Sequence, residues 1–311
     1  MPAPQRVFAI LNPAAGRGRA QRAWRQVEPA LRDGGLTLRT VVEERPQLAI
    51  DLAAEAARAG VDVIAAVGGD GTIHEVVNGI LTSGADPRPA LAIIPGGTGN
   101  DFARGVGIPR DPLAAGRLLL HGARRRVDAG RVNDRYFVGI AGVGFDAEVA
   151  ARVNRWPKWV SGTSVYVAAI LYMLIAYRCV PTRLVLDGQA QQLRLFLVAV
   201  ANTAWYAGGM YMAPPARPDD GILEVITARD LGKIETLGLL PKVFSGAHLR
   251  HAKVAHLRAR EIRVESAAPL AIHADGETVG RVPAVFRVVP QAIDVIVPAA
   301  APAAATPRSP R

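Results

Sequence analysis

The run Val61-Asp62-Val63-Ile64-Ala65-Ala66-Val67, followed at once by Gly68-Gly69-Asp70-Gly71-Thr72, constrains this chain more than any other stretch. Its length and β-branched content suit a strand covered on both faces, as in a parallel sheet. The residues that follow, Ile73-His74-Glu75-Val76-Val77-Asn78-Gly79-Ile80, have a helical pattern. The motif is therefore a strand-to-helix turn. Glycines at 68, 69 and 71 open backbone N–H groups to an anion, and the first helical turn adds partial positive charge, so a phosphate is the natural guest. Asp70 would be repelled by phosphate oxygens unless a divalent cation or a hydroxyl donor mediates. The same residues also suit a plain βα turn with Asp or Thr as helix cap, and the motif alone does not separate the two readings.

Two more strand ends share this texture. Val7 to Leu11 leads into Asn12-Pro13-Ala14-Ala15-Gly16-Arg17-Gly18-Arg19, which is not a Walker A loop because no Lys-Ser/Thr follows its last Gly. A helix from about Gln21 to Leu31, a strand Thr37 to Val42 and a helix Leu48 to Arg58 lead back to the central turn. Leu91 to Ile94 then runs into Pro95-Gly96-Gly97-Thr98-Gly99-Asn100-Asp101-Phe102-Ala103-Arg104, whose Asn-Asp pair suits a helix cap or a metal-bound water. Strands alternating with helices predict a parallel α/β sheet, whose ligands gather beyond the carboxyl ends of its strands. Arg124-Arg125-Arg126 reads as a solvated face.

At 311 residues the chain is long enough for two cores. A formal charge of +10 favours an anionic partner: a nucleic acid, a nucleotide or an anionic membrane surface. No basic tail lies beside aromatic repeats, which weakens the nucleic-acid reading. The single Cys179 excludes an internal disulfide and a cysteine-rich zinc site, and fits a reducing compartment. Met1 to Arg6 runs straight into Val7 to Leu11 without a signal-peptide core. Val165 to Tyr177 is shorter than the roughly 20 apolar residues a bilayer span needs. It reads as a core helix capped near Ser161 or Thr163, with Trp156, Lys158 and Trp159 just before it.

Beyond Asp128 the pattern shortens to alternating runs at 136–140, 183–186, 194–201, 222–227, 262–265, 270–274 and 285–289, which predict an antiparallel sheet or sandwich with one long inserted helix. The expected organisation is an α/β domain over 1–128 completed by a returning segment 290–298, a β-rich domain over 129–289, and a disordered Ala/Pro-rich tail over 299–311. Gly208-Gly209-Met210, the turn Pro214 to Gly221, and Asp275-Gly276-Glu277 each suit a surface turn.

In order and approximate spacing, Asn12-Pro13 with Gly16, Gly68 to Thr72 with Glu75, Pro95 to Ala103, Asp128, Asp220-Gly221 and Asp275-Gly276-Glu277 resemble the diacylglycerol kinase catalytic family, related to sphingosine and ceramide kinases. The resemblance spans about residues 6 to 298. It implies an N-terminal α/β domain like that of NAD kinases and 6-phosphofructokinases, a mostly antiparallel β-sandwich-like C-terminal domain for the lipid acceptor, and ATP in the cleft between them. It places Asn12, Pro13, Ala14, Ala15 and Gly16, then Gly68, Gly69, Asp70, Gly71, Thr72, Ile73, His74 and Glu75, and Thr98 along the nucleotide. Asp70, Asp101 and Asp128 would reach the magnesium ion of ATP through water. Asp220, with the carbonyls of Arg217 and Ile222, would hold a second, structural magnesium. Glu277 would be the general base, with Asp70 the other catalytic carboxylate.

There are departures. Glu43 stands where the family often has a nucleotide-contacting Thr, with Thr40 three residues earlier, and His74 stands where Asn is frequent and is expected to pack or hydrogen-bond. Arg17 and Arg19 suit either cationic stabilisation or a solvated surface. The basic stretch from His248 to Arg260 suits either attraction to anionic lipid or an exposed helix or loop.

The implied activity is ATP-dependent transfer of the γ-phosphate to a hydroxyl of diacylglycerol or a related lipid. The implied setting is a cytoplasmic enzyme held peripherally at the inner face of a membrane, without a transmembrane segment or nucleic-acid partner, and compatible with a homodimer. An NAD kinase-like enzyme would share the Gly-Gly-Asp turn but not Thr98 to Phe102 together with Glu277. A non-catalytic nucleotide-binding module at the membrane surface is disfavoured by the intact Asp70, Asp220 and Glu277.

Overall fold

The computed structural model describes residues 5–43, 45, 47–154, 172–174 and 176–299. The chain divides into one unit formed by residues up to Val127 together with those from Ile293 onward, and a second formed by Asp128–Ala292. The first runs β1 (Arg6–Leu11), α1 (Arg19–Asp33), β2 (Thr37–Val42), α2 (Leu48–Arg58), β3 (Val63–Gly68), α3 (Asp70–Thr82), β4 (Ala90–Pro95), α4 (Asp101–Gly105), α5 (Pro112–His121) and into β5 (Ala123–Val132).

β3 is buried along its whole length because β1 and β4 flank it, both parallel, while helices cover its faces. The strand order β4-β3-β1-β2 means that the chain moves outward from β1 to β2 and then returns past β1 to β3. Right-handed crossovers put α1 and α2 on opposite faces for that reason. α1 turns Ala20, Ala23, Trp24, Val27 and Leu31 inward at helical spacing. β2 and α2 have the bounds that their patterns predict, whereas α3 begins at Asp70 rather than Ile73, so the turn shrinks to Gly69 alone, in an extended conformation.

The second unit continues β6 (Arg135–Phe137), β7 (Ile140–Gly144), α6 (Phe145–Asn154), β8 (Val180–Leu186), β9 (Gln189–Ala201), β10 (Trp205–Tyr206), β11 (Met210–Tyr211), β12 (Leu223–Arg229), α7 (Lys233–Val243), β13 (Val254–Ala259), β14 (Glu261–Ser266), β15 (Ala271–Ala274), β16 (Glu277–Arg281) and β17 (Ala284–Val297). Its pairings are antiparallel, with β9 touching β7, β8 and β12. Alternate residues of these strands, among them Phe137, Val198, Val225, Ile262, Ile272 and Phe286, form its core. This is the expected fold class, an α/β unit and an antiparallel sandwich-like one.

Several elements differ from the sequence patterns. α6 and α7 were not expected: α6 follows β7 without a linker, and α7 contains Gly238 and Pro241, both poor helix formers. The basic stretch is not an exposed helix or loop. It comprises a 3-10 turn (Ala247–Arg250) and β13, which pairs with β12. β17 is one strand of fourteen residues where two were expected, because Gln291, at φ 50°, distorts the ladder after Pro290 without ending it. The helix expected around 163–178 and its preceding tryptophans fall mostly outside the described residues, as does the tail beyond Ala299. Among the described residues, no helix is long and apolar enough to cross a membrane.

The packing of α2 on α3 depends on Gly79. A Cβ there would lie 2.3 Å from the Ile50 carbonyl oxygen and 2.6 Å from Ala53 Cβ. Alanine ordinarily stabilises a helix interior over glycine by about 1 kcal/mol, but here the obstacle is backbone, which has no rotamer to yield. Gly79→Ala should therefore destabilise the protein by a net ~1–3 kcal/mol, read as a lower urea midpoint.

Candidate active site

At the carboxyl edge of the first unit, three loops are held against one another by backbone contact. Asn12 follows β1 and donates its N–H to Val67 O of β3 at 3.0 Å, while Gly96 follows β4 and donates to Gly68 O at 2.8 Å. These loops flank the point where successive connections leave the sheet in opposite directions, the place where open α/β sheets bind ligands. The first loop is shaped locally. Asn12 Oδ1 accepts from the N–H groups of Ala14 and Ala15 at 3.1 and 3.2 Å, and Gly16, Arg17 and Gly18 all take positive φ.

The glycines do more than expose N–H groups. A Cβ at Gly16 would meet Gly96 O at 2.0 Å, one at Gly96 would meet Ala20 Cβ at 2.4 Å, and one at Gly97 would meet Gly69 Cα at 2.4 Å. Gly68 is filled in the same way by Thr72. At these positions the missing side chain makes room for protein, while the N–H groups of the first turn of α3, at Asp70, Gly71 and Thr72, have no partner within the helix.

Asp70 is the brace. Its Oδ2 accepts from Asn100 N at 2.7 Å, and its Oδ1 accepts from Asp101 N at 2.8 Å and Phe102 N at 3.3 Å, tying the start of α3 to the start of α4. Burial, and then the charge of Asp101, push its carboxyl up to about 6, and the three N–H donors only partly offset them. Arg19 adds a second tie, donating to Gly16 O, Gly97 O and Thr98 Oγ1 at 3.0–3.2 Å, so it serves loop architecture rather than a solvated surface.

Thr40 and Glu43 separate clearly. The Thr40 hydroxyl accepts from Trp24 Nε1 and donates to Glu28 of α1, so it is engaged inside the unit. Glu43 is buried at the end of β2, with its N–H on Leu11 O, and holds the strand-end position. His74 is buried with Asn78 Nδ2 3.4 Å from its ring, as expected of a packing residue. Glu75 Oε1 accepts from Gln47 N, tying α3 to the start of α2.

The other expected carboxylates lie in the second unit. Asp128 is 1% exposed, and each of its oxygens already accepts a backbone N–H, Oδ2 from Gly221 and Oδ1 from Gln291, both at 2.7 Å. That geometry gives it a bracing role between the two backbone segments. Asp220 pairs with Arg258 at 2.8 Å, and the same guanidinium lies 3.2 Å from Glu224. In this structure the charge of Asp220 is matched by that arginine, and its Oδ1 accepts from Ile222 N at 3.2 Å. Glu277 is exposed and opens β16 directly after Asp275-Gly276, both at positive φ, the two-residue turn that matches strand twist.

Sequence reasoning missed how that hairpin is fixed. Asp275 accepts from Val138 N and Gly139 N at 3.1 and 2.8 Å, and buried Asn202 donates to both Asp128 O and Val138 O at 2.9 Å. An asparagine closing the apolar strand β9 was the available signal. The basic stretch also differs from a free cationic patch: Lys253 pairs with Glu235, His256 with Glu224, and His248 is buried with its ring on Met212 O.

Among the described residues, no three His, Cys, Asp or Glu side chains converge as a metal cage. Asp70 and buried Asp101 nonetheless form a pair of hard oxygen donors whose mutual repulsion a hydrated hard cation would relieve, which suits an ion that keeps most of its waters.

Residues 6–132 match the family of the diacylglycerol kinase catalytic domain, and residues 139–297 match the YegS C-terminal NAD kinase beta sandwich-like domain. The chain is 34% identical over 300 residues to a diacylglycerol kinase of Mycobacterium tuberculosis, covering 94% of this chain and 95% of that one. It is 32% identical over 297 residues to a diacylglycerol kinase of Bacillus subtilis, covering 94% and 97%. The crystal structure of a diacylglycerol kinase from Bacillus anthracis matches with a TM-score of 0.77 at 27% identity, covering 96% of this chain and 98% of that one. Fold and relatives together define a kinase. The chain belongs to the diacylglycerol kinase family.

Because the Asp70 carboxyl is raised from 3.8 to about 6, the folded protein holds a proton that the unfolded chain releases between those values. Stability from this group is therefore fully present below about pH 4 and lost as pH rises through about 6. Asp70→Asn should remove that part of the slope in denaturant titrations from pH 4 to 7. It should also increase amide hydrogen exchange at Asn100 to Phe102, since the amide turns an NH2 donor toward backbone N–H groups.

Proposed function

We propose that this protein is an ATP-dependent lipid kinase that transfers the γ-phosphate to a hydroxyl of diacylglycerol or a related lipid while held peripherally at a membrane. The observation that carries this reading is the Asp70 brace, which holds two of the three glycine-rich strand ends in one fixed arrangement beside the free N–H groups of α3. Phosphoryl transfer demands little covalent work from a protein and much positioning of charge, which such an edge supplies.

In this scheme the N–H groups at the start of α3 and the Asn12 to Gly16 loop hold the nucleotide phosphates, and Thr98 borders them. Asp70 and Asp101 would hold a hydrated magnesium ion, whose chemistry is to neutralise charge on the phosphate oxygens. Glu277 accepts the proton of the acceptor hydroxyl as its oxygen attacks the γ-phosphorus and the bond to the leaving nucleoside diphosphate breaks. The Asp275 turn, tied to Val138 and Gly139, keeps the base from drifting with its hairpin.

The decisive assay is transfer of labelled γ-phosphate from ATP into a total lipid extract, with identification of the labelled product. A preparation that labels no lipid, or that labels NAD instead, ends this reading. Glu277→Gln keeps size and polarity but cannot take the proton, so turnover should fall about 10²–10⁴-fold while calorimetric affinity for an ATP analogue stays unchanged. Equal loss of both would move Glu277 out of the base role and into nucleotide binding.

A further inference from the structure

We propose that the outward face of α7 is the surface by which this protein docks on an anionic bilayer, an inference that rests on the lipid-kinase reading. α7 is apolar on two sides. Inward, Leu239, Leu240 and Val243 line an apolar pocket of the second unit, closed from the other side by Phe145, Phe196 and Ile226. Outward, Ile234 is 86% exposed, Leu237 48%, and Phe244, one residue past the helix, 53%. Among the described residues these are three of the five large hydrophobic side chains left exposed, so the cluster is a property of this element and not of the surface in general. Their spacing, with exposed Pro241 between Leu237 and Phe244, draws one stripe along the helix.

Exposed cations rim the stripe, and the carboxylates near it are already paired, Asp230 with Arg194 and Glu235 with Lys253. Lys233 and Lys242 are exposed on the helix and Arg250 on the turn after it. The only acidic residue of α7, Glu235, is engaged by Lys253 at 2.7 Å and by Gly232 N at 2.7 Å as the helix cap. An apolar stripe rimmed by cations is the pattern of a helix lying in a lipid interface, with its side chains at the acyl boundary and its cations among anionic headgroups. A second copy of the chain fits less well. Eleven residues make a helix roughly 16 Å long and about 11 Å across, a face of about 180 Å², well short of the approximately 800 Å² per partner that a stable protein interface takes. A bilayer sets no such minimum, because each inserted side chain and each cation contributes separately. The pocket on the inner side of the same helix also gives a reason for an apolar wall to face lipid: a chain leaving the bilayer at α7 meets apolar lining directly behind it.

The test uses the full chain and flotation on vesicles of phosphatidylglycerol and phosphatidylcholine in equal parts, without nucleotide. Wild type should float. The triple variant Ile234→Ser, Leu237→Ser, Phe244→Ser should lose vesicle affinity on the order of a hundred-fold, with an unchanged melting temperature because all three side chains are exposed. Lys233→Gln with Lys242→Gln should weaken flotation and flatten its dependence on salt. In a second arm, the triple variant should phosphorylate a short-chain diacylglycerol in free solution as wild type does, and lose turnover only on vesicle-borne substrate. The proposal is overturned if wild type does not float, if the triple variant floats equally well, or if light scattering finds a wild-type dimer that the triple variant abolishes. If wild type floats through α7 yet labels lipid in neither arm, the kinase reading fails and the docking surface stands.

Discussion

One half-buried carboxylate orders the carboxyl edge of the first unit's sheet. Asp70 receives three backbone N–H groups from a single turn of chain thirty residues away, and in doing so fixes where α3 and α4 begin. Neutral side chains of the same shape lack this capacity, because only a carboxylate offers acceptor lone pairs on both oxygens. The arrangement carries a tension. Burial and Asp101 disfavour the charge that the three donors require, and a cation near the pair would resolve it in favour of ionisation. The edge is thus most settled when positive charge is close by.

The second unit uses the same device at two places. Asp128 and Asp275 each accept two backbone N–H groups, and Asn202 joins their neighbourhoods by bonding to the carbonyls of Asp128 and Val138. These carboxylates arrange chain. Their occurrence beside Glu277 and Asp220 in the sequence motifs has a plain physical meaning: a motif records the residues that shape a site as faithfully as those that act in it.

The α/β half was legible because its signals are local. Each strand is a short apolar run, α2 follows an uninterrupted helical period, and glycines mark the strand ends. The sandwich half was readable in kind but not in detail. α7 was hidden by Gly238 and Pro241, since its stability comes from the core behind it rather than from propensity, and β13 was hidden by its basic residues His256 and Arg258, whose ion partners Glu224 and Asp220 lie outside the strand. At the site, the chemistry-bearing residues could be named from the chain, whereas their duties could not. Whether Thr40 faces α1, whether Asp220 meets Arg258 and whether a glycine makes room for backbone are facts of three-dimensional neighbourhood.

β17 starts in the second unit, where Ala284–Arg287 pair with β14, and ends in the first, where Val295 pairs with Leu91 of β4. Arg126, on β5, is held by Asp294 of the same returning strand at 3.0 Å. The unit that begins the chain is therefore finished by its last described strand. On the ribosome, the usual order in which an N-terminal domain folds before its successor emerges is interrupted here. The first sheet must wait, one strand short and with the edge of β4 unpaired at Leu91, until some 290 residues have been made. A gene fragment cut at the apparent boundary near residue 128 would leave that edge open for good, an invitation to pair with other chains. Joining residues 293–299 back onto such a fragment, by a linker or by circular permutation, is the physically sound way to obtain the first unit alone.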